Sequence, residues 1–188
     1  MGTYYRRRKA EQLDTSESLS RAKKRALYLL GERQYCRGEL LCKLTKTYGV
    51  KIAETAVDYV CERGYVNDED YAPRFAEYLI TRKHWGIRRV RAEMLHRGLD
   101  RELVEYTLAD ILTEDLDEEL TSLIERKYAD KIRDFDDRRR TVAALARRGY
   151  DFGAIKRCIE FVVQNDEDRF GEIDEEAFGE NDELWEGE

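Results

Sequence analysis

The chain has 188 residues, 40% of them charged and 41% hydrophobic, with a single proline and a mean hydropathy of −0.76. That composition excludes one thick apolar core and favours thin amphipathic helices, each buried along one stripe, while no apolar run approaches the ~18 residues of a membrane span. The net charge of −7 hides a segregation: residues 164–188 carry 12 acidic side chains and one arginine, a net of −11, which leaves +4 for the rest and points to nucleic acid or nucleoprotein as a partner.

Residues 1–18 are polar and read as a flexible basic arm, with Arg6, Arg7, Arg8 and Lys9. No apolar segment follows these cations, so no signal peptide is expected and the location is expected to be cytoplasmic. After the arm comes an echo with a period near fifty residues. Tyr48-Gly49, Arg97-Gly98 and Arg148-Gly149 each close an amphipathic stretch, and the glycines are spaced by 49 and 51 residues. Such a period marks stacked supersecondary units that bind long partners along a face.

The expected class is all-α: three tandem three-helix, helix-turn-helix-like repeats forming an elongated, curved rod. Repeat 1 spans 19–66. Its first helix is expected to open on a Ser20 cap, turn Ala22, Ala26, Leu29 and Leu30 inward, and stop at Gly31. The second runs from about Arg37 to Thr47 with Leu40, Leu41 and Leu44 inward, and the third from about Ile52 to Arg63 with Ala56, Val57 and Val60.

Repeat 2 spans 67–114 and begins at Asn67-Asp68-Glu69-Asp70. A cap at Asp70 places Pro73 in the first turn, where its missing N–H costs little, so a start near Asp70 or a local kink is expected. Phe75, Tyr78 and Leu79 form that helix's apolar face. A second helix is expected over Ile87–His96, and a third, capped by Asp100, from Arg101 to about Leu112 with Leu103, Val104 and Leu108 inward. Repeat 3 spans 115–164: Leu116, Leu120, Leu123 and Ile124 mark one helix, Val142 and Leu145 the next, and Ile155, Ile159 and Phe161 to Val163 the last, capped by Asp151. Residues 165–188 read as an acidic disordered tail. Its alternative role is an acidic-aromatic mimic of nucleic acid, carrying Phe170, Phe178 and Trp185.

Chemistry-bearing motifs are scarce. Cys36, Cys42, Cys61 and Cys158 form no C-x-x-C pair and read as buried thiols of a reducing compartment. The histidines are His84 and His96, and there is neither a phosphate-cradling loop nor a nucleophile elbow. No catalytic activity, metal or cofactor is expected.

The strongest candidate site is basic. From Arg82 to Arg97 there are six basic residues and one acid, with Trp85 among them. Guanidinium groups beside an aromatic suit phosphate contact and stacking. Helical geometry sorts them: with Arg88 at zero, Ile87, Val90, Met94 and Leu95 span about 200–340°, and Arg91 falls inside that stripe at about 300°. Arg91 is therefore expected to pack on neighbours and pair with a carboxylate, leaving Arg88 and Arg89 to reach a partner. With an offset of 51 these two map onto Arg139 and Arg140, whereas repeat 1 has Gly38 and Glu39 there. The candidate binding set is Arg82, Lys83, Trp85, Arg88, Arg89, Arg139 and Arg140.

Gly64-Tyr65-Val66-Asn67-Asp68-Glu69-Asp70-Tyr71-Ala72 resembles a G-L-[LI]-[ND]-D-x-x-[FY]-A segment of the RecX family, regulators of the RecA recombinase. Trp85-Gly86-Ile87-Arg88-Arg89-Val90 and onward to Met94 resembles its G-P-x-[RK]-[IL]-x-x-E-L run, with Ile87 where proline is common. Arg37-Gly38-Glu39-Leu40 with Lys43-Leu44 is similar to its R-x-E-L-x-x-K-L, and Arg147-Arg148-Gly149-Tyr150 to its R-R-G-[FY]. The resemblance implies a non-enzymatic protein that binds the RecA–single-stranded DNA filament and restrains it, in recombination, DNA repair and the SOS response. It would bridge successive protomers and block the second DNA strand. A stand-alone DNA-binding protein built from helix-turn-helix-like repeats is the other reading; nothing demands a dimer, and a monomer is expected.

Overall fold

The computed structural model describes residues 15–111 and 113–170, which form helices joined by short turns and contain no strand. The chain divides into two compact units, one holding residues up to Tyr71 together with Arg97–Leu99, the other holding Ala72–His96 and the residues from Asp100 onward. Among the described residues no helix is long and apolar enough to cross a membrane.

The first unit is built on α1 (Thr15–Glu32), α2 (Arg37–Tyr48) and α3 (Val50–Cys61). Ala22 and Ala26 of α1 and Ala53 and Ala56 of α3 are fully buried in one cluster with Leu40, Leu44, Val57 and Val60. Alanine on both helices lets their backbones approach closely, and the leucines of α2 fill the remaining side. Two expectations are corrected here. The α1 helix starts at Thr15, not on a Ser20 cap, because Leu19 extends the buried stripe backward and Glu17 pairs with Arg21 at 2.6 Å. Nor does Gly31 end it; the helix continues to Glu32, and Arg33 N–H still reaches the Leu29 carbonyl. Residues 15–18 thus belong to α1, and the rest of the expected arm lies outside the described residues.

Within this unit the turn at Arg97–Leu99 packs on the start of α2. A Cβ on Gly38 would overlap the backbone of Gly98, the Cys36 thiol donates to the Arg97 carbonyl at 3.2 Å, and Arg97 donates to the Tyr71 hydroxyl at 3.0 Å. Cys36, at the N-cap of α2, offers no cap of its own; Asp68 Oδ1 accepts from Arg37 N–H at 2.8 Å instead. Burial pushes the Asp68 carboxyl up from the usual carboxylate range. Not every thiol is buried as expected: Cys42 is exposed and Cys61 half-buried, while Cys36 and Cys158 are buried.

Next along the chain are α4 (Asp68–Glu77), a π-helical turn (Tyr78–Arg82), α5 (Ile87–His96) and α6 (Arg101–Ala109). The cap of α4 is Asn67, whose Oδ1 accepts from Glu69 N–H at 3.0 Å, and not Asp70 as expected. Pro73 therefore sits inside the helix, facing the Glu69 carbonyl without an N–H to give it. The helix runs on and widens at Tyr78. That wider turn rotates Tyr78 out of the predicted apolar face, to 46% exposure, while Leu79 and Ile80 are buried. Asp100 caps α6 as expected, accepting from Glu102 and Leu103 N–H at 2.8 and 3.2 Å. Leu103 is only half-buried, and Thr107, its hydroxyl tied to the Leu103 carbonyl, takes a core position.

The rest of the second unit is α7 (Thr113–Tyr128), a 3-10 turn (Ala129–Lys131), α8 (Phe135–Arg147) and α9 (Phe152–Phe170). Leu120, Leu123, Ile124, Ile132, Leu145, Ile155, Ile159 and Val162 form its core. Asp151 caps α9 through Gly153 N–H at 2.8 Å. Phe161 faces solvent at 53% exposure, against expectation, because it lies on the helix side opposite Ile155 and Ile159. Six residues assigned to the acidic tail, 165–170, are helical, and 171–188 lie outside the described residues.

One close approach organises this unit. Gly149 follows α8 at φ +90°, a conformation glycine adopts without steric cost. A Cβ on Gly86 would overlap the Gly149 carbonyl and the Tyr150 nitrogen. Gly86 N–H donates to the Arg148 carbonyl at 2.9 Å and Arg88 N–H to the Gly149 carbonyl at 3.1 Å. The first turn of α5 and the last turn of α8 thus satisfy each other's orphan backbone groups. Gly86→Ala should lower the unfolding free energy by about 3 kcal/mol, since backbone must shift to admit the methyl. Gly31→Ala, where a Cβ meets nothing within 4 Å, should raise it by about 0.5 kcal/mol. Urea denaturation midpoints of the two variants check both.

Candidate nucleic-acid interface

The turn between the π segment and α5 gathers most of the predicted basic set. Arg82 ends the π-helical turn and is exposed. Lys83 is exposed, its Nζ 5.7 Å from the Tyr78 ring centre. Trp85 is half-buried, and the Arg89 guanidinium lies 4.0 Å from its ring centre, so ring and cation form one stacked platform. Arg88 is exposed at the second position of α5, where its N–H is already given to Gly149.

Arg91 behaves as the helical angles require. Its Nε and Nη2 donate to the two oxygens of Glu105 on α6 at 2.9 and 3.1 Å, a bidentate pair that ties the two helices. Among the described residues Arg82 and Arg88 make no ion pair.

Arg139 and Arg140 are exposed on α8, with Arg140 paired to Asp137 at 2.9 Å and still 80% accessible. Each pair stands at the same distance from the end of its helix, but α8 is three residues longer at its start than α5. The structure does not bring the pairs side by side. Gly149, just past the far end of α8, touches Arg89, and Arg139 lies about 15 Å back from Gly149 along the helix axis. At the matching place in the first unit, Gly38 is pressed on Gly98, and Glu39 pairs with Arg33 at 3.2 Å and lies 3.7 Å from Arg97.

Sequence reasoning passed over two groups next to this turn, His84 and Arg126. His84 has φ +52°, the one positive value at a described non-glycine residue, and its Nε2 is 3.0 Å from Arg126 Nη2. Burial and the positive charges of Arg126 and Lys127 depress its pKa below the usual imidazole value. Isolated in sequence, His84 carried no signal of this.

Comparison with known proteins places the chain. Residues 67–108 match the model of the RecX second three-helix domain and residues 114–159 that of the third. A "Regulatory protein RecX" of Thermus thermophilus is 34% identical over 128 residues, covering 68% of this chain and 82% of the relative. The chain belongs to the RecX family. A "Regulatory protein RecX" of Stenotrophomonas maltophilia is also 34% identical, over 143 residues covering 73% of this chain and 84% of the relative. The crystal structure of RecX from Lactobacillus salivarius superposes with a TM-score of 0.69 at 16% identity, over 79% of this chain and 99% of that one, and so shares the fold. The all-α class and the three-helix repeats are those of the RecX family.

The two arginine environments predict different responses. Arg91→Ala should lower the unfolding free energy by about 0.5–1 kcal/mol, the value of a well-formed but exposed pair. Arg88→Ala should change it by less than about 0.3 kcal/mol. Denaturant titration of the two single variants reads the difference directly.

Proposed function

We propose that this RecX-family protein is a regulator that binds the RecA–single-stranded DNA filament, as a monomer in the cytoplasm, and inhibits recombinase activity in recombination and DNA repair without catalysing a reaction. The observation that carries the reading is the set of exposed arginines on α5 and α8, in a protein whose relatives are named regulatory proteins. Arg82, Lys83, Arg88, Arg89, Arg139 and Arg140 would meet DNA phosphates or acidic filament residues, and the Trp85–Arg89 platform would stack. Two exposed arginine pairs, on α5 and α8, suit separate contacts along an extended strand. A helical protein bound on the filament would obstruct the incoming second strand.

The test is a titration against naked and RecA-coated oligo-dT at two salt concentrations. Tighter binding to the coated strand is expected; equal affinity for both would favour the stand-alone DNA-binding reading. Replacing Arg88, Arg89, Arg139 and Arg140 together by alanine should reduce the salt slope on naked strand by about 2–3, at roughly 0.7 for each phosphate no longer neutralised.

A further inference from the structure

We propose that His84 is a positioning residue: clasped by Arg126 of α7, it fixes the turn that presents the Trp85–Arg89 platform. This rests on the preceding reading for its ligand, but its geometry stands by itself. A non-glycine residue at positive φ is strained and persists where its surroundings over-determine it. His84 is held from three directions. Its N–H donates to the Ile80 carbonyl at 3.0 Å, closing the π-helical turn. The next residue, Trp85, donates to the Leu79 carbonyl at 3.1 Å, and Gly86 to the Arg148 carbonyl. The third hold is the imidazole.

A guanidinium has donors only, so at 3.0 Å from Arg126 Nη2 the His84 Nε2 must accept. The ring is therefore neutral and carries its proton on Nδ1. That buried Nδ1–H points toward Glu119 Oε2, 3.8 Å away and too far for a direct bond. Arg126 and Glu119 lie on one side of α7, about two turns apart, so the ring is oriented from both ends. One residue on, Trp85 lies under Arg89. Losing the clasp frees the turn to leave the left-handed conformation, and the platform turns with it.

The groups that face the ring are Glu119, Arg126 and Lys127 of α7 and Arg148 beyond α8. The folded-state pKa lies below the ordinary 6.5, so the stability that the neutral ring contributes is fully present above pH 6.5. It is lost as pH falls from there through the folded pKa. Protonation turns Nε2 into a donor facing Arg126 and opens the clasp.

The test uses the full-length chain with W185F, which leaves Trp85 as the one tryptophan. Acrylamide quenching of Trp85 should rise about two-fold in R126A and in H84G, with unchanged far-UV circular dichroism, and R126K should recover part of the change. H84G relieves the strain without restoring the clasp, and Arg126 is exposed, so both variants should fold. Quenching should also rise as pH drops below 6.5, a step absent in H84G. Unchanged quenching in R126A would overturn the inference, whatever the binding data say. If R126A shifts quenching but R88A/R89A retains full affinity for RecA-coated oligo-dT, the clasp stands and the platform's role as a ligand site falls. If R88A/R89A weakens binding several-fold and R126A, despite shifted quenching, does not, the positioning role is overturned.

Discussion

Backbone meeting backbone at Gly86 and Gly149 is the constraint on which the second unit depends. Two helix ends would otherwise leave polar groups without partners: the N–H groups opening α5 and the carbonyls closing α8. Here they serve each other, through Gly86 to Arg148 and Arg88 to Gly149. The approach is possible because neither position carries a Cβ. The first unit repeats the arrangement with Gly38 and Gly98, though there a thiol, that of Cys36, supplies the hydrogen bond to the turn carbonyl.

That constraint also decides which cations are left for a ligand. Once the start of α5 is pinned by its backbone, its side chains are divided by helix angle alone. Arg91 points along the buried stripe and is used up by Glu105. Arg88 and Arg89 point away, one without an ion pair among the described residues and the other lying over Trp85. In the first unit the equivalent positions are spent on the joint itself, by Gly38, and on ion pairing, by Glu39. Charge is thus displayed where a backbone contact has already settled the helix.

Much of this was legible in the sequence because the signals were local. The glycine period, the caps at Asp100 and Asp151, the bounds of α5 and the paired role of Arg91 all follow from spacing and helix geometry. What was not legible depended on which of several competing local signals wins or on neighbours distant in the chain. Asn67 rather than Asp70 caps α4, with Pro73 accommodated inside, and the π-helical turn that follows throws Tyr78 outward. Leu19 lengthens α1 because of a groove that only the fold creates. The arginine pairs share a sequence offset, yet the start of α5 meets the far end of α8, away from the second pair. His84 gained its meaning from Arg126, 42 residues away.

A contact read from the main chain alone carries no side-chain vocabulary. Complementary surfaces of large residues must change in step, since each alteration on one side demands an answer on the other. A glycine–glycine joint makes one demand, that nothing be added, and is indifferent to every other substitution around it. Sequence around such a joint can therefore drift while the architecture it sets holds. The outward faces beside such joints are released to specialise, so neighbouring repeats in one chain can hold the same geometry and present different chemistry to whatever lies alongside.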